Sequence, residues 1–383
     1  KIREYLARRQ FGEAVDESAW EEELRAGVAE VVRQQAEAGI DVPSDGEYGK
    51  AHWVWYVTER LAGMVPADLG EAQLSWWMRT NDRVDFAEFY RAYEPVQRYD
   101  WSGDASAPLV RLPAPIQFAR FDGKVSYKGQ HAIARDVADL RAAVDAAGVE
   151  EAFLAVASPM AVELGQTNDA YDSEEDFISA LATALSEEYR AIVDAGFLLQ
   201  VDDAVLPQWV GAAERSGVDP KEVARFAGLR IDALNAALEG IPSDRVRFHI
   251  CWGSWNGPHT SDAPLASVID YVLKVNADAY LIESANPRHE HEWQIWEDRK
   301  LPEGKVLVPG VVNHQTNVVE HPELVAWRIQ NFARLLGREN VMAGTDCGFC
   351  QGWHEIRTHP SIQWAKLRSL SEGARLASER LWP

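Results

Sequence analysis

Apolar positions fall into two kinds of run that alternate along most of this chain. The first kind recurs every three to four residues, the spacing of one helix face. "DESAWEEELRAGVAEVVRQQAEAG" (16–39) predicts an amphipathic helix, with Ser18 and Glu21 as a capping box and Gly39 as its C-terminal stop. "SEEDFISALATALSEEYRAIVDAG" (173–196) has the same grammar, its acidic start complementing the helix dipole. Residues 264–276 and 321–336 predict further helices. The second kind is short and continuously apolar: "EEAFLAVASP", "FLLQVDD", "RVRFHICWG", "DAYLIESAN", "KVLVPGVVN" and "NVMAGTDCG". A strand buried on both faces needs such a run, and strands of this kind separated by helices predict a parallel sheet under helical cover.

Nearly every apolar run ends in polar or ionisable residues. These are Asp45-Gly46-Glu47, Asp202-Asp203, His249 with Cys251, Glu283, Asn313-His314 and Asp346-Cys347. A doubly wound sheet gathers ligands at one switch point, whereas a barrel uses the carboxyl ends of all its strands. The expected architecture is therefore α/β, a TIM (β/α)8 barrel. Seven strand units are visible, starting at "DVPSD", and the first barrel strand is expected to be missing from the chain as given. "APIQFARFDGKVSYKG" reads as a hairpin turning at Asp122-Gly123. The proline- and tryptophan-rich stretch 50–120 reads as an excursion over the barrel mouth. The domain expectation is a single unit, 1–383, with an insertion at roughly 50–130 after the "DGE" strand.

Composition narrows the classes without choosing one. The chain has 383 residues, 46% hydrophobic and 26% charged, which suits a globular enzyme-sized domain. Its net charge of −22 argues against a nucleic-acid partner and against an anionic membrane surface. No apolar run reaches the roughly 18 residues a membrane span needs. "KIREYLARRQ" lacks a signal-peptide core, and three cysteines are no disulfide framework, so a reducing, cytoplasmic setting is expected.

Those three cysteines all fall at strand ends. Residues i and i+2 of a strand share a face, so His249 and Cys251 project together. They are either a buried thiol beside a satisfied histidine or half of a metal site. Adding Glu283 and Cys347 from neighbouring strands completes a tetrahedral N/S/O donor set suited to zinc. Glu283 is equally able to pair with an arginine, and Cys347-Gly-Phe-Cys350 has the spacing of a redox pair or of two ligands. A redox reading leaves His249 and Cys251 unexplained.

"HICW", "AYLIESANP", "VPGVVNHQTN" and "AGTDCG", in that order, resemble the carboxy-terminal zinc barrel of cobalamin-independent methionine synthase. "DVPSDGEYGK" and "LLQVDDAVL" are similar to further blocks of it, so that the resemblance spans roughly residues 16–370. The short single-barrel relatives, which include epoxyalkane:coenzyme M transferase, look nearest. The resemblance implies zinc ligands at His249, Cys251, Glu283 and Cys347. It implies carboxylates that hold the thiol substrate at Glu47 and Asp202, and a proton-donating histidine at His314. Cys350 matches no family ligand.

The expected function is a zinc-dependent thiol alkyltransferase, methionine synthase-like, acting on a small homocysteine-like thiol and an alkyl donor. Epoxide:thiol transfer of the coenzyme M type is the alternative, and a non-catalytic zinc or CxxC redox protein the second. The chain departs from methionine synthase on the electrophile side. Gly165 stands where the resemblance leads one to expect a folate-stacking tryptophan, and "HWVWY" (52–56) and "SWWMR" (75–79) are foreign to the pattern. Trp53, Trp55, Trp252 and Trp255 belong either to the core or to a pocket for an apolar or cationic electrophile. His259, His289 and His291 read as solvated loop histidines.

Overall fold

The computed structural model describes residues 1–10, 13–67, 81–93, 118–163, 166–353 and 358–383. Gly165 and "SWWMR" lie outside these residues. The described strands are β1 (Leu61–Ala67), β2 (Phe118–Tyr127), β3 (Phe153–Ala157), β4 (Thr167–Asn168), β5 (Leu198–Asp203), β6 (Val246–Ile250), β7 (Ala279–Ile282), β8 (Val306–Val312) and β9 (Gly344–Thr345). The main sheet runs β3-β5-β6-β7-β8-β9, and every neighbouring pair is parallel. Spatial order thus follows chain order, with helices between most strands, as the alternation of apolar runs predicts. Ser44, in the first expected strand, contributes one parallel bridge to Phe153 at the sheet's edge.

The two faces of these strands carry different residues. Leu199, Val201, Phe248 and Ile250 are completely buried. They join a core with Leu181, Leu185 and Ile192 of the helix Glu174–Asp194. The intervening positions, Gln200, Asp202, Arg247 and His249, are polar and occupy the opposite face. Register sets Asp202 of β5 directly beside His249 of β6. The polar face therefore leads to the strand ends where the candidate residues collect.

Two helices show how the local sequence is satisfied. Ser173 caps Glu174–Asp194, its hydroxyl accepting from the Asp176 N–H at 3.0 Å. The helix Glu17–Glu37 buries Trp20, Leu24, Val28 and Val32 at four-residue spacing, one stripe facing the core. Its cap is Asp16, which accepts from the Ala19 N–H at 3.1 Å, so the Ser18–Glu21 box is not used. A carboxylate two residues earlier competes for the same exposed donors and lengthens the helix by part of a turn.

The expected hairpin at Asp122-Gly123 does not form. The whole of Phe118–Tyr127 is one strand, antiparallel to Leu61–Ala67, and the Asp-Gly pair lies in a register shift opposite Gly63. Gly63 has φ 84°, and a Cβ there would come within 2.6 Å of the Gly123 carbonyl, so the bulge requires glycine. Asp-Gly suits a bulge as well as a turn, and the partner strand decided between them. "KVSYKG" consequently belongs to this ribbon and not to the parallel sheet.

Candidate metal centre

His249 is the last residue but one of β6, Cys251 follows two residues on, and Cys347 follows β9. Their donor atoms all lie within 4.8 Å of one another. His249 and Cys251 are 5% and 3% exposed, and Cys347 is half-buried. Neither ring nitrogen of His249 makes a hydrogen bond among the described residues. A buried imidazole with both nitrogens unsatisfied carries a cost unless something binds it.

The electrostatics of the cluster agree. Cys347 is held well below the usual thiol range, first by a hydrogen bond from Cys251, against the effect of burial, and with help from His249. Cys251 is pushed far up by that same bond and by burial. Burial lowers His249, but the Cys347 sulfur, Asp202 and Glu283 outweigh it and leave the ring at about 9. A thiolate, a second thiol and an imidazole pressed together, with carboxylates at hand, form the donor set zinc takes.

Glu283 is placed slightly apart. It belongs to a second group with His314 and Asp346, whose donor atoms also lie within 4.8 Å of one another. Its carboxylate accepts from the Trp252 N–H at 3.0 Å and from Asn286 Nδ2 at 2.9 Å. The Trp252 N–H belongs to the residue after Cys251, so the two groups adjoin. His314 is 1% exposed, with its Nε2 2.8 Å from the Ser254 hydroxyl. Asp346 is wholly buried; burial and the nearby Glu283 push its carboxyl well up. The sequence marks Asp346 as a polar strand end beside Cys347 in "GTDCG" but assigns it no role.

Glu47 and Asp202 are near enough to the cluster to feel the Cys347 sulfur. Burial raises both, and each is raised further by the Cys347 sulfur; Asp202 reaches about 6 and also raises Glu47. Asp202 Oδ1 accepts from Gln200 Nε2 at 2.9 Å. Glu47 Oε1 accepts from Lys50 Nζ at 3.1 Å, an ion pair that sequence reasoning missed although "DGEYGK" contains both ends of it.

The tryptophans divide. Trp252 is fully buried; its indole N–H donates to the Ala263 carbonyl at 2.7 Å and its ring stacks on His289 at 3.8 Å. It is a packing residue beneath the site. Trp255 stacks on His259 at 3.9 Å and donates to the Tyr90 hydroxyl at 3.1 Å. His259 and His289 are 2% and 3% exposed, which corrects the expectation of solvated loop residues. Both bond to Asp262 Oδ2, at 2.7 and 3.1 Å, and His289 also to Glu292 at 2.8 Å. Histidines alone do not reveal burial; the acids at i+3 that pair with them were the available signal. His291 is exposed, as expected.

Fold and site define an α/β chain with a metal-competent centre at the carboxyl ends of a curled parallel sheet. The family described as "Cobalamin-independent synthase, Catalytic domain" matches residues 133–362, more than half the sequence, and the chain belongs to that family. The methionine synthase of Sulfurisphaera tokodaii is 22% identical over 384 residues, covering 99% of this chain and 89% of that protein. The 2-hydroxypropyl-CoM lyase of Xanthobacter autotrophicus is 23% identical over 242 residues, 56% of this chain and 58% of the lyase. The B12-independent methionine synthase of Shewanella sp. W3-18-1, solved with selenomethionine, shares the fold at a TM-score of 0.70. It is 20% identical, over 96% of this chain and 91% of that one.

Proposed function

We propose that this chain is a zinc-dependent thiol alkyltransferase with methionine synthase-like chemistry. Its sheet closes as a (β/α)8 barrel, the whole chain forming one domain. The observation that carries this reading is the His249–Cys251–Cys347 cluster, whose imidazole makes no hydrogen bond among the described residues. His249, Cys251 and Cys347 would hold zinc, with Glu283 as the fourth, displaceable donor. Glu283 suits displacement because the Trp252 N–H and Asn286 retain its carboxylate when it is not a ligand. Zinc supplies ionisation of the substrate thiol at neutral pH while leaving its sulfur nucleophilic.

The remaining steps belong to the chain's own side chains. Glu47 and Asp202 orient the tail of the thiol. The sulfur attacks an alkyl carbon, a carbon–sulfur bond forms, and the leaving group departs with the bonding pair. His314, steadied by Ser254, delivers the proton that the departing group needs. Cys350 stands outside the cluster, its thiol bonded to the Gly352 carbonyl at 2.9 Å, which weighs against the CxxC redox reading.

Epoxide opening by a thiol is a second reading, favoured by the likeness to the lyase. The same residues serve it, with His314 protonating the alkoxide. The test is a screen of small thiols against methyl-folate, sulfonium and epoxide donors. S-alkyl product that disappears on zinc removal is expected. Full activity of zinc-stripped protein overturns the mechanism, and activity with epoxides alone selects the second reading.

A further inference from the structure

We infer that Asp262 is a positioning residue for His314, acting through the loop 252–263 that follows Cys251. This rests on the reading of His314 as proton donor and adds what aims it. The loop touches His314 and its neighbour at two places. The Ser254 hydroxyl lies 2.8 Å from His314 Nε2, and the Gly253 carbonyl accepts from Gln315 Nε2 at 3.0 Å. Residues 251–264 form neither helix nor strand, so the loop takes its shape from side-chain bonds. His259 has φ 55°, a left-handed conformation that a residue other than glycine keeps only where its surroundings hold it.

Asp262 is the centre of what holds it. Its Oδ2 lies between two buried imidazoles, 2.7 Å from His259 Nδ1 and 3.1 Å from His289 Nε2. The other nitrogen of each ring also faces an oxygen. His259 Nε2 meets the Trp255 carbonyl at 2.9 Å, nearer than the Gln315 amide at 3.3 Å, and His289 Nδ1 meets Glu292 Oε2 at 2.8 Å. A neutral imidazole has a single N–H, so bonding two acceptors takes the imidazolium. Two charged rings and two carboxylates thus close a balanced quartet. The aromatic faces agree, Trp252 stacking on His289 and Trp255 on His259, as suits cations. Burial works to raise Asp262, yet the bonds from both imidazoles hold it below its usual value. Burial works to lower His259, and the bond to Asp262 raises it instead.

The quartet ties the loop after Cys251 to the stretch after Glu283. His259 and Asp262 come from the first, His289 and Glu292 from the second. Glu292 Oε1 also accepts from the Leu265 N–H at 2.8 Å, where the loop enters the helix Leu265–Val272, and Arg288 donates to the His259 carbonyl at 3.1 Å. Without the Asp262 charge, two buried imidazoliums would face one neutral oxygen, an imbalance that an irregular loop relieves by moving. Gly253 and Ser254 would move with it, and His314 would lose its aim.

Zinc-loaded protein with isotope-labelled histidine rings, observed by NMR, tests this alongside turnover of the thiol and donor pair that the screen above selects. His259 and His289 should each carry two ring protons at neutral pH. Asp262→Asn should keep zinc content and the thiol KM, shift the His314 ring signals as Ser254→Ala does, and lower turnover about 10–100-fold. Added to Ser254→Ala it should lower turnover little further, since both act on one hydrogen bond. A neutral ring at either histidine, unmoved His314 signals, or losses that add in full overturn the inference. Glu292→Gln, which cuts the quartet at its far end, gives the same readings where Asp262→Asn does not fold. A chain that alkylates none of the thiols overturns the alkyltransferase reading, and the ring signals then decide whether Asp262 aims His314.

Discussion

Gly310 lies so close to Asp346 that a Cβ on the glycine would stand 2.3 Å from Asp346 Oδ1 and 2.5 Å from its Cα. The same oxygen accepts from the Ser284 and Ala285 N–H groups at 2.8 and 2.7 Å. One carboxylate thus ties the end of β9 to the loop that carries Glu283, across the path of β8. Gly310→Ala should cost about 1–3 kcal/mol through overpacking. Denaturant unfolding checks this, and an unchanged midpoint would show that the contact yields freely.

Purified protein should contain about one zinc per chain. Cys251→Ser and Cys347→Ser should each strip it, while Cys350→Ser should leave the metal content alone. Binding must also displace the proton that His249 holds below about 9, so zinc affinity should fall as the pH is lowered through the range beneath that value. Metal analysis and competition with a chelator across pH measure both effects.

His314→Asn should lower turnover by about 10²–10⁴-fold while leaving zinc content and thiol affinity near their original values. The site supports that separation. His314 is held through its ring by Ser254 and through its carbonyl by the Thr358 hydroxyl, at 2.8 and 2.9 Å. Parallel loss of zinc in the variant would instead make His314 part of the metal-holding shell.

Stability should decline on the alkaline side. Burial works to lower His289, but hydrogen bonds to Asp262 and Glu292 raise it to about 9, above its unfolded value near 6.5. A folded-state pKa raised in this way stabilises fully below about 6.5 and is lost as pH climbs through about 9. Unfolding free energy should fall by about 1–3 kcal/mol over that window. In His289→Asn this alkaline loss should shrink, which urea titrations at several pH values would register.

The parts of the fold legible in sequence were those set by unbroken apolar runs. All six runs from "EEAFLAVASP" to "NVMAGTDCG" contain strands of the parallel sheet, because burial on both faces leaves no other pattern. What failed was decided by partners far along the chain. Asp122-Gly123 is a bulge only because Gly63 lies opposite, and Asp16 outcompetes Ser18 by three-dimensional reach. The donor cluster was readable since strand periodicity joins His249 to Cys251. Lys50 was not, and Asp346 was only as a polar strand end, because their importance lies in which carboxylate or backbone donor each one meets. A spacing rule carries no such information.

The antiparallel ribbon has a consequence for how this chain can change over time. Its outermost pair is Ala67 with Phe118, which sets two points far apart in the chain side by side. Below that pair Arg60 is locked to Glu188 at 2.8 Å and to Asp136, and the Tyr127 hydroxyl to Glu188 at 2.9 Å. Between those paired residues the chain is pinned again, Asp82 accepting from the Ser261 hydroxyl at 2.8 Å and the Tyr90 hydroxyl from the Trp255 indole at 3.1 Å. Both partners lie in the loop that follows Cys251. Drift in this stretch is therefore felt at that loop, and the two must vary together.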